Sequence, residues 1–242
     1  MYEQNPDVVS IGEGLLQWPM DPQTASAARR YPLPLRATSP ARQFGDDCGS
    51  SGFNPRSWER RVMQPSSWPK GLSTCTPSDV ISQFKEKQYT QALALVACWG
   101  LMWRQPDAIW GARTIESIHN ALAECDLSIQ AERSIRAAWS ILTGTEIGQM
   151  GWTSVISSKA LHFLCRSLGF DRNPPVAIDG RVIRNTVWPA FRNAIPAMAR
   201  PKSWSGHSYE AYCRYMTAVT VWADQRGWTT KEMECTIFAE YS

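Results

Sequence analysis

The chain has 242 residues, of which 43% are hydrophobic and 19% are charged, and its formal net charge is +3. This composition is typical of a soluble globular protein. It excludes a polycationic nucleic-acid-binding arm, although a local basic face remains compatible with it. No apolar run reaches the roughly 20 residues of a transmembrane helix. No basic and then apolar leader follows Met1. We therefore expect neither a membrane partner nor secretion.

The seven cysteines are widely spaced and form no C-x-x-C pair. Such spacing suits neither a zinc site nor a disulfide framework. Several of these cysteines lie in helical patterns, where a buried thiol behaves as a small hydrophobic side chain. We therefore expect no metal, no cofactor and a reducing, cytoplasmic compartment.

Residues 1–75 are rich in Pro, Ser, Gly and Arg and show no long helical period. We interpret them as an irregular extension to a helical domain formed by residues 76–242. The alternative is that arginines of this extension contact DNA phosphates, or that Trp58 and Trp68 line a cleft. The arginines concerned are Arg29, Arg30, Arg36, Arg42, Arg56, Arg60 and Arg61.

From residue 76 onward the pattern predicts a series of helices and no convincing strand, so the fold class is all-α. Thr76-Pro77-Ser78-Asp79 is a helix start with proline in the first turn. The run 89–102 is apolar almost all round, which predicts the central core helix. Amphipathic helices are predicted at 112–124 and 127–142. Inward-facing residues of the latter are Ile135, Ala138 and Trp139.

Two further helices are predicted at the C-terminal end of the chain. The first covers 206–227 and ends at Gly227, a residue type that favours helix C-termini. Thr229 and Glu232 match a capping box, which opens a final helix ending near Ala239. Inward-facing residues of the longer helix are Tyr212, Tyr215, Met216, Val219 and Trp222.

The most informative stretch runs from residue 148 to residue 188. It reads as a glycine turn, an amphipathic helix that carries Lys159, a proline-rich loop and a second helix that Asp179 caps. Asn173-Pro174-Pro175 cannot continue the first helix, and the apolar residues 176–178 are expected to be extended. An amine near the start of one helix and a carboxylate at the start of the next can then meet across a cleft. Apolar positions expected to be buried are Val155, Leu161, Phe163, Leu164 and Leu168.

The runs S-K-A-L-H-F-L and P-V-A-I-D-G-R-V-I-R resemble the catalytic segment of helix-hairpin-helix DNA glycosylases. They are most similar to the 8-oxoguanine DNA glycosylase fold group, including its archaeal enzymes. The resemblance is specific over residues 145–190 and gives no counterpart for residues 1–70. It implies a helix-hairpin-helix glycosylase-like domain in which Lys159 and Asp179 hold the catalytic positions. Gly148 and Gly151 stand where the hairpin is expected, without its usual proline.

The activity implied by the resemblance is release of a modified base that has been flipped out of double-stranded DNA. A carboxylate at position 179 would stabilise positive charge on the sugar C1′. Lys159 would attack C1′ and form a Schiff base, which permits strand cleavage, so an AP lyase activity can accompany base release. This attack requires a neutral amine. The base is 8-oxoguanine by resemblance, or a hypermodified phage base in antiviral defence.

The remaining candidate residues concern the base pocket and the DNA backbone. Trp99, Gly100 and Trp103 are candidates for one wall of the pocket, while His162 and Phe163 are candidates beside Lys159. Each of these residue types is also common in an ordinary core. The predicted DNA contacts come from the hairpin and from the helix after Asp179. Those residues are Gly148, Gly151, Arg181 and Arg184.

Two other classes of function remain open. A non-catalytic module on the same scaffold would recognise damaged or modified DNA without cutting it. A helical interaction protein would have no nucleic-acid role, as the low net charge allows. Only the enzyme needs both Lys159 and Asp179, and we expect it to act as a monomer.

Overall fold

The computed structural model describes residues 20–41, 74–100, 131–143, 154–170, 174–178 and 208–241, with only the backbone course given for 98–100, 131–134 and 241. Within these ranges the chain forms helices and no strand, which confirms the all-α class. None of these helices is both long and apolar enough to cross a membrane. The helices are α1 (Pro22–Arg30), α2 (Pro77–Lys85), α3 (Tyr89–Gly100), α4 (Ala131–Leu142), α5 (Ser154–Ser167), α6 (Tyr209–Arg226) and α7 (Thr230–Tyr241).

Helices α2 and α7 begin as their sequences predict. The Thr76 hydroxyl accepts the Asp79 N–H at 3.4 Å, and the Asp79 carboxylate accepts the Thr76 N–H at 2.7 Å, with Pro77 in the first turn. At the start of α7, the Thr229 hydroxyl accepts the Glu232 N–H at 3.2 Å, and the Glu232 carboxylate accepts the Thr229 N–H at 2.7 Å. Each capping box satisfies N–H groups that have no acceptor within the helix.

Helix α6 ends at Gly227, which lies in the left-handed region at φ +67° and so confirms the predicted stop. The Trp228 N–H donates to the carbonyl of Ala223 at 3.0 Å, and the Gly227 N–H donates to that of Asp224 at 3.1 Å. This pair of hydrogen bonds is the Schellman arrangement, in which glycine avoids the steric cost of a positive φ.

Helix α5 ends in the same way, but earlier than its sequence predicts. Gly169 has a φ of +94°, and the Phe170 N–H donates to the carbonyl of Cys165 at 3.1 Å. The helix therefore stops before the prolines are reached. Leu168 lies beyond the last helical residue and is 42% exposed, so the prediction that it is buried was wrong. Val155, also expected to be buried, is half-buried.

Residues 20–41, called here the N-terminal arm, include a helix that the sequence did not predict. The Asp21 carboxylate caps α1 by accepting the Thr24 N–H at 2.7 Å. Ala25, Ala27 and Ala28 are buried where α1 packs against α6. A nine-residue helix whose buried face consists of small residues gives a weak apolar period. This explains why the composition suggested only irregular structure.

The rest of the N-terminal arm is hydrogen-bonded along α6 and α7. The Trp222 indole N–H donates to the carbonyl of Tyr31 at 3.1 Å, and the Arg226 guanidinium donates to that of Ala37 at 2.8 Å. The Glu240 carboxylate accepts N–H groups of residues 36 and 37, and the Thr236 hydroxyl accepts that of residue 41. The described arm therefore packs along α6 and α7. Arg42, Arg56, Trp58, Arg60, Arg61 and Trp68 lie outside the described residues.

The core is organised around α3 and α5. Residues 92–97 of α3 are all buried, which confirms it as a core helix. Helix α5 packs against α2, α3 and α4. Trp139 of α4 stacks on Tyr212 of α6 with ring centroids 4.4 Å apart. The predicted inward-facing residues of α4 and α6 are all buried, whereas the predicted helix 112–124 lies outside the described residues.

The cysteines divide into two groups. Cys75, Cys165 and Cys213 are buried free thiols, as expected. Burial raises the pKa of the Cys75 thiol to about 12, with a smaller contribution from the Asp79 charge, so this side chain stays protonated and apolar. Cys235 is disulfide-bonded. The wide cysteine spacing, which does not suit a disulfide framework, gave no indication of this bond.

The docking of α1 can be tested with Ala28→Asp. Ala28 is 0% exposed, so a carboxylate introduced there would be buried in an apolar contact between α1 and α6. We expect the free energy of unfolding to fall by about 3 kcal/mol, measured by urea denaturation followed by circular dichroism. Arg30→Ala changes an exposed residue of the same helix and is the control. Equal stability of Ala28→Asp and the wild type would contradict the packing of α1 on α6.

Candidate active site

Helix α5 carries Lys159 on an otherwise buried surface. Residues 156–158 and 160–166 are buried, whereas Lys159 is half-buried. The Ser157 hydroxyl donates to the carbonyl of Leu142 at 3.0 Å, which anchors α5 to the end of α4. Lys159 therefore does not project freely into solvent, as an ordinary surface lysine would. It lies at the partly open side of a helix that its neighbours hold in place.

Residues 174–178, called here the core segment, pass through the interior next to α5. Pro174, Pro175, Val176 and Ile178 are buried, Ala177 is half-buried, and the segment forms neither helix nor strand. Non-helical structure here is what the two prolines predict. A buried backbone without regular secondary structure must find other partners for its N–H and C=O groups.

Two of these partners come from α5. The Ser158 hydroxyl accepts the N–H of Ile178 at 2.8 Å and itself donates to the carbonyl of Val155 at 2.9 Å. The Nδ1 atom of His162 lies 2.7 Å from the carbonyl oxygen of Pro175. Since a carbonyl only accepts, Nδ1 carries the hydrogen in this contact. Ser158 and His162 are four residues apart and therefore share one face of the helix.

The other partners come from α6 and α7. The Tyr212 hydroxyl donates to the carbonyl of Val176 at 2.7 Å, and the Val176 N–H lies 3.1 Å from the sulfur of Met216. The Ala177 N–H donates to the Glu234 carboxylate at 2.9 Å. Burial raises the pKa of the Tyr212 phenol well above its usual value, so this hydroxyl remains a donor.

These five contacts attach the core segment to three helices. Their partners are side chains, each of which is fixed by the packing of its own helix. Removing any one of them leaves a buried backbone group without that acceptor or donor, which is costly in a low-dielectric interior. The course of residues 175–178 is therefore set by α5, α6 and α7 together.

His162 and Phe163 both belong to the interior. They are 6% and 5% exposed, and their rings meet edge to face with centroids 5.2 Å apart. His162 thus has the hydrogen-bonded core role that its residue type favours. A contact of either side chain with a flipped base stays a prediction.

The other candidate residues are described only in part or not at all. Trp99 and Gly100 belong to the last turn of α3, where only the backbone is described. The residues outside the described ranges are Trp103, Gly148, Gly151, Asp179, Arg181 and Arg184. Convergence of Lys159 and Asp179 on one cleft therefore stays a prediction.

Sequence reasoning missed the partners of the core segment. Tyr212 and Met216 were expected to face inward, but nothing linked them to residue 176. Ser158 and Glu234 drew no attention, because serine and glutamate in helices are most often surface residues. The only local signal was the four-residue spacing of Ser158 and His162, which indicates a shared face but not what that face contacts.

The described residues form helices in which a half-buried lysine precedes an anchored, proline-containing segment, in keeping with the resemblance to DNA glycosylases. Residues 48–238 match the family model described as "Putative 8-oxoguanine DNA glycosylase OGG-like protein", and the chain belongs to this family. The match includes residues 48–70, for which the resemblance in sequence gave no counterpart. The domain boundary at residue 76 stays a prediction. The chain matches no curated protein and no solved structure.

The anchoring of the core segment can be tested with Ser158→Ala. Ser158 is fully buried, and alanine leaves the Ile178 N–H without its acceptor. We expect a loss of about 1–3 kcal/mol in the free energy of unfolding and faster hydrogen exchange at the Ile178 amide. Ser140→Ala, which removes an exposed hydroxyl bonded within α4, is the matched control. Unchanged exchange at Ile178 would rule out this anchor.

Proposed function

We propose that this protein is a DNA N-glycosylase that releases a modified base from double-stranded DNA, with Lys159 and Asp179 as its catalytic residues. The observation that supports this proposal is the hydrogen bond from the Ile178 N–H to the Ser158 hydroxyl. Lys159 follows Ser158 and Asp179 follows Ile178 in the chain. Consecutive Cα atoms are about 3.8 Å apart. Each proposed catalytic residue is thus one peptide away from the bonded pair.

The chemistry requires two different groups near the sugar. As the N-glycosidic bond breaks, positive charge develops at C1′, and an ionised Asp179 would stabilise it. A neutral Lys159 amine would attack C1′, displace the base and form a Schiff base after ring opening. Elimination from that intermediate cleaves the strand, which is the AP lyase activity. The half-burial of Lys159 favours a water-poor site for both steps.

The base must leave the helical stack before a half-buried amine can reach its sugar. We propose that Trp99, Gly100, Trp103, His162 and Phe163 contribute to the pocket that receives it. Gly148, Gly151, Arg181 and Arg184 would contact the DNA backbone, through the hairpin amides and arginine side chains. We further propose a monomer that acts in the cytoplasm. Three described cysteines are free, in keeping with a reducing compartment, while Cys235 is the exception.

Family membership makes 8-oxoguanine the first substrate to test, and a hypermodified phage base in antiviral defence is the second. The decisive experiment incubates the protein with duplexes that each carry one modified base and counts abasic sites and strand breaks. Release of 8-oxoguanine would support repair, while release of only a phage-type base would support defence. Binding to the same duplexes without any base release would instead indicate a non-catalytic recognition module.

The role of Asp179 is tested by Asp179→Asn. We expect single-turnover base release to fall by roughly 10²- to 10³-fold or more, the scale for losing one electrostatic stabiliser of the transition state. DNA affinity should change little, since the side chain keeps its size. Asp224→Asn makes the same change at an exposed site on α6 and is the control. Equal rates for Asp179→Asn and the wild type would remove Asp179 from the mechanism.

The role of Lys159 is tested by trapping with borohydride, which reduces a Schiff base to a stable protein–DNA adduct. We expect the wild type to be trapped and Lys159→Gln to give no adduct, because an amide does not form a Schiff base. Lys85→Gln, at an exposed position in α2, should be trapped like the wild type. An adduct with Lys159→Gln would assign the chemistry to another amine. Base release by the wild type without trapping would indicate a glycosylase that relies on Asp179 alone.

A further inference from the structure

Glu234 contacts the core segment from the C-terminal helix. Its Oε1 atom accepts the Ala177 N–H at 2.9 Å, across 57 positions of the chain. Ala177 is the half-buried residue of an otherwise buried segment, and Glu234 is half-buried as well. It is the one carboxylate among the described partners of this segment, the others being hydroxyls, an imidazole and a thioether.

A carboxylate in this position fixes the backbone more firmly than a neutral acceptor would. Hydrogen bonds to an ionised acceptor are shorter and stronger than those between neutral groups. Ala177 lies two residues before Asp179, so the contact acts close in the chain to the proposed catalytic carboxylate. Small displacements of a reacting group lower rates steeply, because catalysis depends on alignment.

The helix that carries Glu234 is itself held in place. Its first turn is fixed by the capping box of Thr229 and Glu232. Farther along the helix, the Thr236 hydroxyl accepts the N–H of residue 41 in the N-terminal arm. Glu234 therefore lies on a helix that has little freedom to move with the core segment.

We propose that Glu234 is a positioning residue for base release, which holds the core segment so that Asp179 is presented to the sugar. This inference rests on the proposed function, because it assigns Glu234 a part in that same reaction. Glu234 itself touches neither the DNA nor the reacting atoms in this role. It acts through the Ala177 amide.

The test compares Glu234→Ala, Glu234→Gln and Glu240→Ala. Alanine removes the acceptor for Ala177, whereas glutamine keeps an oxygen that can accept the same N–H. Glu240→Ala is the matched control, since it removes a carboxylate of the same helix that accepts backbone N–H groups of the arm instead. Each variant is measured for single-turnover base release, for affinity to a duplex with an uncleavable abasic-site analogue, and for hydrogen exchange at Ala177.

We expect Glu234→Ala to lower the single-turnover rate roughly 10- to 100-fold, the range for a misaligned reacting group, with affinity for the abasic analogue unchanged. Exchange at Ala177 should accelerate. Glu234→Gln should restore much of the rate, and Glu240→Ala should match the wild type per folded molecule. If Glu234 only stabilised the fold, Glu234→Ala would lower the rate, the affinity and the folded fraction together. Glu234→Gln would then not change the rate independently of the other two quantities.

Two results overturn the proposal in distinguishable ways. If the wild type releases base but Glu234→Ala does so at the same rate, the positioning role is wrong while the proposed function stands. The same holds if Glu234→Ala loses rate and affinity in parallel. If the wild type releases no base from any duplex in the panel, the proposed function fails, and the positioning role fails with it even where Ala177 exchange responds to the substitution.

Discussion

A buried stretch of backbone that belongs to no helix must find its hydrogen-bond partners in side chains, and residues 174–178 are under this constraint. The prolines prevent the segment from being helical, and its apolar residues keep it inside. Five side chains from α5, α6 and α7 supply the partners that regular secondary structure would otherwise provide. The course of the segment itself depends on these contacts, because an unsatisfied backbone group is expensive in the interior.

The frame around the segment extends to the start of the chain. The N-terminal arm packs its short helix on α6 and bonds its remaining backbone to side chains of α6 and α7. Helix α6 carries Tyr212, and α7 carries Glu234. Two of the three helices that hold the core segment are thus themselves covered by the arm. The N-terminal arm has the composition of an irregular extension, yet it is part of the structure that supports the candidate active site.

In the proposed reaction, a sugar meets an amine and a carboxylate in a rigid and water-poor place. The described structure joins the helix that carries Lys159 directly to the segment before residue 179, through Ser158. The net charge of only +3 implies that DNA binding depends on locally placed groups rather than on a strong overall field. Membership of the 8-oxoguanine glycosylase-like family is in keeping with such a site.

The sequence by itself determined the helical class, the start of α2, the capping box of α7, the glycine stop of α6 and the inward faces of α4 and α6. These features are local: a cap depends on residues three positions apart, and an inward face depends on a period of 3.6 residues. The sequence also indicated the family, because two short runs, one around Lys159 and one around Asp179, carry the resemblance. It misplaced the end of α5, where Gly169 acts before the prolines, and it overlooked α1, whose buried alanines give little periodic signal.

Only the tertiary structure decided what holds the core segment. Ser158, Tyr212, Met216 and Glu234 meet that segment across 20 to 57 positions of the chain. No local pattern encodes such a meeting, because it depends on how helices pack and on which backbone groups are left without partners when they do. The sequence identified Lys159 and Asp179 as candidates. The packing of three helices decided how the core segment between them is held.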